Sequence, residues 1–359
     1  MKYFFLCFFL LAATFTFSQQ SKKEQLALDM GIQAIKCMND GNFDEAIVLL
    51  EQAQKLDPIR IDYPYEMAYA LYNLKEYDKV IDILEKLKER QEASDLVFQL
   101  LGNTYHNAGN PERALVIYQK GLNKFPESGH LYLEIGIVEY SQENFNEAII
   151  NWENGIRVQP DLSSNYYWLG RAFAGSNKRI WGILYSELFI LLETESARSR
   201  EMSEILFRIY DASISFDTDT TVTTHFESAM QIDPTDNKGI TLPFDSEVEL
   251  ITSMSSLNVS GKSKDHISLD DLVNIRTAFI DNWHTMNMND KYSNCLFDFH
   301  SDMKEAGVYE AYNYWLFRMG DTENFMAWYR KNEEKFSEFI RWFNDNSPSI
   351  NKDNLIVRE

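Results

Sequence analysis

Cysteine is scarce in this chain of 359 residues, which contains only Cys7, Cys37 and Cys295. Metal sites built on cysteine need ligands at characteristic spacings, and none of the spacings here suggests such a site. We therefore predict no metal and no other cofactor. For Cys37 and Cys295 we expect free, buried thiols.

Positive charge is also in short supply. Lysine and arginine total 34 against 55 aspartates and glutamates, so the formal net charge is −21. Proteins that bind nucleic acids or anionic lipid surfaces need a basic stripe for phosphate contacts, and this balance disfavours both kinds of partner. The excess of acid fits either a soluble protein or one with a basic partner.

The common motifs of hydrolases and nucleotide-binding enzymes are missing: the sequence has no His-Glu-x-x-His, no Gly-x-Ser-x-Gly and no phosphate-cradling glycine loop. Catalysis would need a nucleophile, a base and a residue that orients the base in one place. Asp298 and Asp302 would share a helix face, but His300 between them points elsewhere. We predict no enzyme activity and no catalytic residues. The candidates considered are His266, His284, His300, Asp298, Asp302 and Cys295.

Residues 1–18 have the pattern of a secretory signal peptide. Lys2 forms a short basic region, an apolar run follows, and the small side chains of Thr16 and Ser18 suit cleavage after Ser18. No second apolar run is long enough to cross a membrane, so no span is expected after cleavage. We therefore predict an exported protein, with an uncleaved anchor as the alternative.

From Ala27 onward the sequence aligns without gaps in five rows of 34 residues, namely 27–60, 61–94, 95–128, 129–162 and 163–196. Small residues recur at positions 8 and 20, and prolines at position 32: Ala34, Ala68, Gly102, Gly136, Gly170, Ala46, Val80, Ala114, Ala148, Gly182, Pro58, Pro126 and Pro160. Two helices cross closely only where side chains are small, and proline ends a helix because it cannot donate the next hydrogen bond. Each row therefore predicts a helical pair. One pair cannot bury its own apolar face, so the pairs must stack.

This period and spacing closely resemble the tetratricopeptide repeat. The resemblance implies an all-α, right-handed solenoid over residues 19–236, with a degenerate sixth repeat at 203–236 after an insertion at 197–202. The threonine-rich middle of the sixth row, residues 217–224, is poor helix material because threonine is stiff at χ1 and competes for backbone hydrogen bonds. We nevertheless expect a helical pair there, since tertiary context often overrides propensity.

Glycine, proline and serine interrupt the pattern at residues 237–266, which we predict to be a linker with one short helix at 246–257. A helical C-terminal unit follows at 267–359 and begins with a capping box at Ser268, which opens a helix reaching about Met286. Three further helices are predicted, at 290–304, 308–318 and 321–344.

The end of the chain carries a second resemblance. The aromatic run at 306–316, the break at Gly320 and Asp321, and the run at 338–343 are similar to the C-terminal region of exported tetratricopeptide proteins of the Bacteroidetes. The resemblance implies a periplasmic setting, with secretion or envelope association as alternatives. It brings no known activity with it.

In tetratricopeptide proteins, positions 2, 5, 9 and 12 of the first helices line a concave groove in which partner segments usually lie. The predicted groove residues are Tyr65, Tyr69, Tyr72, Asn103, His106, Tyr140, Tyr167 and Arg171, and the same positions supply Gln99, His130 and Leu133. Flat apolar area mixed with hydrogen-bonding groups suits an extended peptide. The alternative is that several tyrosines merely pack between repeats. A clamp for a terminal carboxylate is not expected, because the lysines it needs are missing.

These observations predict a non-catalytic scaffold that holds a protein or peptide partner, including an envelope-associated one, in the groove. One alternative is a hydrolase, or a glycan or small-molecule binding activity, in the C-terminal unit with the repeats as a docking arm. Another places the exposed aromatic residues of the tail against a membrane-embedded assembly.

Overall fold

The computed structural model describes residues 2–218, 221–226, 242–259 and 265–358. The chain divides into two compact units, residues 1–142 (unit 1) and 143–359 (unit 2). This division differs from the predicted one, which placed the boundary in a linker at 237–266. The first helix of the fourth repeat belongs to unit 1, and the second belongs to unit 2.

Unit 1 is built from helices in sequential pairs. They are α1 (Lys2–Asn39), α2 (Phe43–Leu56), α3 (Asp62–Asn73), α4 (Tyr77–Leu87), α5 (Asp95–Asn107), α6 (Pro111–Lys124) and α7 (Gly129–Ser141). Each helix packs against the next, and each first helix also contacts the following first helix, so that α1, α3, α5 and α7 form one layer. This is a tetratricopeptide-like all-α solenoid, and it confirms the predicted fold class.

Small residues allow the helices of a pair to cross closely. Ala34, Ala46 and Ala68 have no exposed surface. A Cβ added at Gly102 would overlap the ring of Tyr118 on α6, which is itself fully buried. Packing therefore requires a small residue at this repeat position.

A left-handed residue lies at the same position of four successive turns. Gly41 and Gly109 have φ values of 80° and 81°, which cost glycine little. The equivalent residues Lys75 and Glu143 adopt φ values of 61° and 65°, although this region disfavours residues with a Cβ by about 1–2 kcal/mol. The turn geometry is thus kept even where glycine is absent.

Unit 2 begins with α8 (Phe145–Val158), α9 (Ser163–Ala174), α10 (Arg179–Leu192) and α11 (Ala197–Ser213). Helices α9 and α10 form the fifth repeat pair, as predicted, and α11 packs against both of them. The six residues expected to be an insertion, 197–202, are the first turns of α11.

The structure departs from the predicted helical pair in the second half of the sixth row. Two antiparallel strands, β1 (Ile214–Thr218) and β2 (Thr221–Thr224), replace the expected helix there. β-Branched side chains such as threonine favour strands because their χ1 freedom is restricted in helices. The threonine run therefore followed its own propensity. Residues 227–236 of this row lie outside the described residues.

Seven helices complete unit 2 among the described residues. They are α12 (Phe244–Ser256), α13 (Leu269–Thr285), α14 (Met288–Lys291), α15 (Cys295–Glu305), α16 (Tyr309–Leu316), α17 (Thr322–Tyr329) and α18 (Glu333–Asp345), with a 3₁₀ turn at Leu257–Val259. Helix α12 packs against α10, α13 and β2, so this part of the predicted linker belongs to the compact unit.

The capping box at Ser268 is present and opens α13, as predicted. Two predicted helices are each broken in two, however. The helix predicted at 290–304 is interrupted before α15, where the side chain of Asn294 accepts a hydrogen bond from Phe297 N. The helix predicted at 321–344 is interrupted before α18, with Asn332 at the N-cap position. Asparagine is a favoured N-cap residue, which explains both restarts.

Among the residues that the structure describes, no helix combines the length and the apolarity that a membrane crossing requires. Of the cysteines described, Cys295 is buried and Cys37 is half-buried, and both are free thiols. The expectation of full burial is therefore wrong for Cys37.

Candidate functional site

The layer formed by α3, α5 and α7 carries most of the predicted groove residues of unit 1. We call it the first-helix face. Tyr69 is 43% exposed and Tyr140 is 37% exposed, so both offer ring surface to a partner. Tyr65 and Tyr72 are half-buried against the core of the unit. Leu133 is buried and belongs to the core. The alternative of packing between repeats thus accounts for part of the set.

A hydrogen-bonded network fixes Asn103 on this face. The amides of Asn103 and Gln99 both donate to Glu134 Oε1, at 3.2 and 2.8 Å. The hydroxyl of Tyr118 donates to Asn103 Oδ1 at 2.5 Å. Sequence reasoning missed Glu134, which stands one position after Leu133 and faces the preceding first helix. Asn103 therefore serves first to orient Glu134.

Tyr72 ties α3 to α5, because its hydroxyl accepts a hydrogen bond from Asn107 Nδ2 at 2.5 Å. Burial raises the pKa of Tyr72, and its neighbours Tyr77 and Glu134 add to the effect. Burial also raises the pKa of Tyr65 to about 12, with contributions from Glu66 and Tyr69. These phenols stay neutral at physiological pH. His106 and His130 are half-buried on the same helices.

The first-helix face is acidic. The sequences of α3, α5 and α7 contain no lysine and no arginine, whereas they contain five carboxylates: Asp62, Glu66, Asp95, Glu134 and Glu139. Burial raises the pKa of Glu66, and the charge of Asp62 raises it further. A cation brought to this face would relieve that repulsion. Large apolar side chains are also exposed on the first helices, at Ile32, Ile35 and Leu96.

Tyr167 and Arg171, the predicted groove residues of unit 2, bind to the unit itself. The hydroxyl of Tyr167 donates to Glu201 Oε2 on α11 at 2.8 Å. Arg171 Nη1 lies 2.8 Å from both Glu201 Oε1 and the Tyr167 hydroxyl. The guanidinium of Arg198 stacks 5.2 Å from the ring centroid of Tyr167. This pair secures α9 to α11.

The histidines considered for catalysis have separate partners. His266 Nδ1 lies 3.0 Å from Asp211, and His284 contacts Ser301 Oγ at 2.7 Å and Asn289 Nδ2 at 3.0 Å. Burial raises the pKa of Asp298, and that of Cys295 to about 12, so this thiol is not a ready nucleophile. These contacts give the alternative of a hydrolase no support.

His300 lies in a buried cluster of polar side chains, which we call the Glu187 cluster. Its members come from five helices: Glu187, Tyr210, Arg276, His300, Tyr312 and Asn313. Arg276 donates to both carboxylate oxygens of Glu187, at 3.0 and 2.5 Å. His300 Nε2 and the Tyr312 hydroxyl donate to Glu187 Oε1 at 2.7 and 2.6 Å. A cavity of about 30 Å³ adjoins the cluster, which is room for one or two water molecules.

The charges of this cluster compensate one another. Burial alone would raise the pKa of Glu187, but the positive charge of Arg276 and the proximity of His300 outweigh it and hold the pKa below its usual value. Burial lowers the pKa of His300, against the pull of Glu187. The cluster therefore joins α10 of the fifth repeat to α11, α13, α15 and α16 with an ionised Glu187–Arg276 pair. Within the described part of the chain, no group of three histidine, cysteine or acidic side chains could hold a metal ion.

The helical pairs define the class of this protein as a tetratricopeptide-like solenoid, and comparison with known sequences agrees. The model of the tetratricopeptide repeat family matches residues 38–103. A stretch of 118 residues, 33% of this chain, is 31% identical to tetratricopeptide repeat protein 21B of Mus musculus, and 120 residues are 29% identical to the Homo sapiens protein of that name. The chain spans about 9% of the length of these relatives.

Solved structures similar to this chain are also tetratricopeptide proteins or pilus factors. TTC0263 of Thermus thermophilus, described as a thermophilic TPR protein, is 14% identical with a TM-score of 0.43, over 50% of this chain and 98% of that chain. The pilF protein of Pseudomonas aeruginosa is 16% identical with a TM-score of 0.45, over 53% of this chain and 86% of that chain.

Proposed function

We propose that the protein is a non-catalytic scaffold whose first-helix face binds an extended segment of another protein. The observation that carries this proposal is the combination on one face of exposed tyrosine rings, at Tyr69 and Tyr140, with carboxylates and no basic side chain in α3, α5 or α7. Aromatic faces supply contact area at low entropy cost, and carboxylates supply direction.

The chemistry of the face favours a partner with lysine or arginine side chains. Such side chains would pair with Glu66 and Glu134 and would stack on the exposed tyrosine rings, where a cation–π contact contributes about 0.5–1 kcal/mol. Glu134 is already oriented by Gln99 and Asn103. Because the acceptor is preorganised, less ordering entropy is lost when the partner binds.

The setting that we propose is outside the cytoplasm, with the periplasm as the first choice. The support for this is the signal-peptide pattern of residues 1–18 and the junction at Ser18. The partner would then be an exported or envelope-associated protein. N-terminal sequencing of the protein recovered from its native compartment tests this point, because an intact residue 1 would contradict cleavage.

The binding proposal is tested with the full chain on an array of unstructured peptides that vary in lysine, arginine and aromatic content. We expect basic peptides to bind, and we expect the double variant Tyr69→Ser/Tyr140→Ser to bind them at least 10-fold more weakly. The matched control is Val48→Ser/Val116→Ser, which alters two exposed apolar side chains on the second helices of the same unit.

Salt dependence separates the two parts of the proposal. If carboxylates direct the partner, affinity should fall as ionic strength rises, because exposed charges are screened beyond about 10 Å at 0.1 M salt. Equal binding by the wild type, the tyrosine variant and the control variant would contradict the assignment of this face. Binding confined to acidic peptides would contradict its electrostatics.

A further inference from the structure

The last described residues of the chain return to the helices of the fourth and fifth repeats in unit 2. The guanidinium of Arg358 donates two hydrogen bonds to Glu153 on α8, from Nε to Oε1 at 2.6 Å and from Nη2 to Oε2 at 3.2 Å. Glu153 is only 4% exposed. This two-pronged pairing is the geometry that an arginine makes with a carboxylate and a lysine cannot.

The side chains around Glu153 recognise more than the charge. The Arg358 guanidinium carbon lies 4.9 Å from the ring centroid of Phe173, close enough for a cation–π contact. The Tyr185 hydroxyl donates to Glu153 Oε1 at 3.0 Å and accepts from the backbone N–H of Arg358 at 3.4 Å. We call Glu153, Arg157, Phe173 and Tyr185 the Glu153 pocket.

Arg157 completes the pocket by binding the backbone of the occupant. Its Nη2 donates to the carbonyl oxygen of Arg358 at 2.6 Å. The pocket thus contacts the guanidinium, the N–H and the C=O of a single residue, so it reads an arginine in an extended segment. Within the described chain, Arg358 is the one cation that forms an ion pair with Glu153.

The segment that fills the pocket is held at few points. Residues 346–358 form no helix or strand. Beyond the contacts of Arg358, the segment is anchored by the buried side chain of Ile356 and by Asn354 O, which accepts from Cys295 N at 3.0 Å. Residues 351–353 are exposed.

An open cleft of about 600 Å³ lies between the segment and the body of unit 2. The segment forms one wall through residues 355–358, and aromatic side chains from α10, α12 and the turn before α15 form another: Trp181, Phe244 and Tyr292. The described residues therefore leave space beside the Glu153 pocket for an incoming chain to approach while the segment is still bound.

We propose that the Glu153 pocket is an arginine-recognition site that residues 354–358 occupy as an internal ligand, and that an arginine-bearing extended segment of a partner displaces them. Glu153 is too buried to be left without a cation, so departure of Arg358 has to be matched by the arrival of another guanidinium. This site is in unit 2 and does not depend on the first-helix face.

The test uses the full chain and a fluorescein-labelled peptide with the sequence of residues 350–358. Fluorescence anisotropy should show that the variant Arg358→Ala binds this peptide at least 10-fold more tightly than the wild type, whose own arginine competes. The double variant Arg358→Ala/Glu153→Gln should lose this binding, and so should a peptide with alanine in place of its arginine. Equal affinity of all three proteins, or no binding by a folded Arg358→Ala variant, would overturn the proposal.

Hydrogen exchange of the wild type supplies a measurement that needs no variant. Excess peptide should increase exchange at residues 354–358 and leave exchange in α13 unchanged. If residues 354–358 keep their protection at millimolar peptide, the segment is a permanent part of the fold and the site does not exchange its occupant.

Discussion

Replacing Arg276 with methionine should destabilise unit 2 by about 3–5 kcal/mol, the usual cost of removing one partner from a buried ion pair. Both partners are almost fully buried, since the side chain of Arg276 is 6% exposed and that of Glu187 is 1% exposed. The methionine side chain fills most of the volume of arginine, so the loss reports mainly on charge and hydrogen bonding. Tyr210 and Asn313 would each also lose a donor.

The expected magnitude is limited by the donors that remain. After the substitution, Glu187 Oε1 keeps the hydrogen bonds from Tyr312 and His300, so the carboxylate is not wholly unsatisfied. The loss should therefore stay within the range for one broken pair. For a domain of this size, 3–5 kcal/mol corresponds to a fall in melting temperature of about 6–20 °C.

Tryptophan fluorescence isolates the affected unit. All seven tryptophans lie between Trp152 and Trp342, so the signal reports on unit 2 alone. Urea unfolding followed by this signal gives the change in free energy of unfolding. Arg208→Met is the matched control, because Arg208 forms an exposed ion pair with Glu204 on α11 and should contribute about 0.5 kcal/mol or less.

The double variant Glu187→Gln/Arg276→Met removes both charges and should recover part of the stability lost by Arg276→Met. A loss below about 1 kcal/mol for Arg276→Met, equal to that of the control, would refute the reasoning. It would mean that Glu187 does not depend on Arg276 and that the cluster does not secure the C-terminal helices to the fifth repeat.

Three further predictions concern single positions. Gly102→Ala should destabilise unit 1 by about 1–3 kcal/mol, because the new methyl group overlaps Tyr118; circular dichroism should show an earlier unfolding phase while tryptophan fluorescence is unchanged. Because the pKa of His300 is lowered in the folded state, the unfolded chain binds that proton more readily, and stability should fall as the pH drops below about 6.5; His300→Gln should flatten the profile between pH 7 and 5. Burial and a pKa of about 12 should leave Cys295 unmodified by a thiol reagent at pH 8 in the native protein, with the half-buried Cys37 reacting first.

The repeat region could be predicted because its signal is repeated. Each small residue at positions 8 and 20 is a weak indication alone, but five aligned rows make the helical pair and its turn certain to within a few residues. Proline at position 32 and glycine at position 15 act on the backbone directly, so their effect does not depend on distant contacts. The bounds of α3, α5 and α9 follow the rows closely for this reason.

The candidate site was less accessible to sequence reasoning because it depends on contacts between rows. Repeat positions placed Tyr69 and Tyr140 on the first-helix face, and both are exposed there. The same positions could not show that Asn103 is engaged by Tyr118 and Glu134, or that Tyr167 and Arg171 bind Glu201. Hydrogen bonds between residues some 30 positions apart are set by the stacking geometry rather than by the local sequence.

One signal for the role of the C-terminal helices was present in the sequence of α10, Arg-Ile-Trp-Gly-Ile-Leu-Tyr-Ser-Glu-Leu-Phe-Ile-Leu-Leu. A second helix that ends a solenoid should be amphipathic, with a polar outer face. Helix α10 is apolar on every side, and twelve of its residues, from Ile180 to Leu191, are buried. Such a helix has to be covered on both sides.

The helices that follow provide this cover. Helix α10 contacts α9 and α11 within the repeat array and α12 beyond it, and its charged residue Glu187 meets Arg276 of α13. The region after the fifth repeat therefore completes the core that α10 begins, as a capping element does in repeat proteins. A cap of this kind explains the buried histidine and the aromatic seams of the C-terminal unit without any catalytic role. It also places the surfaces available to partners elsewhere, on the first-helix face and at the Glu153 pocket.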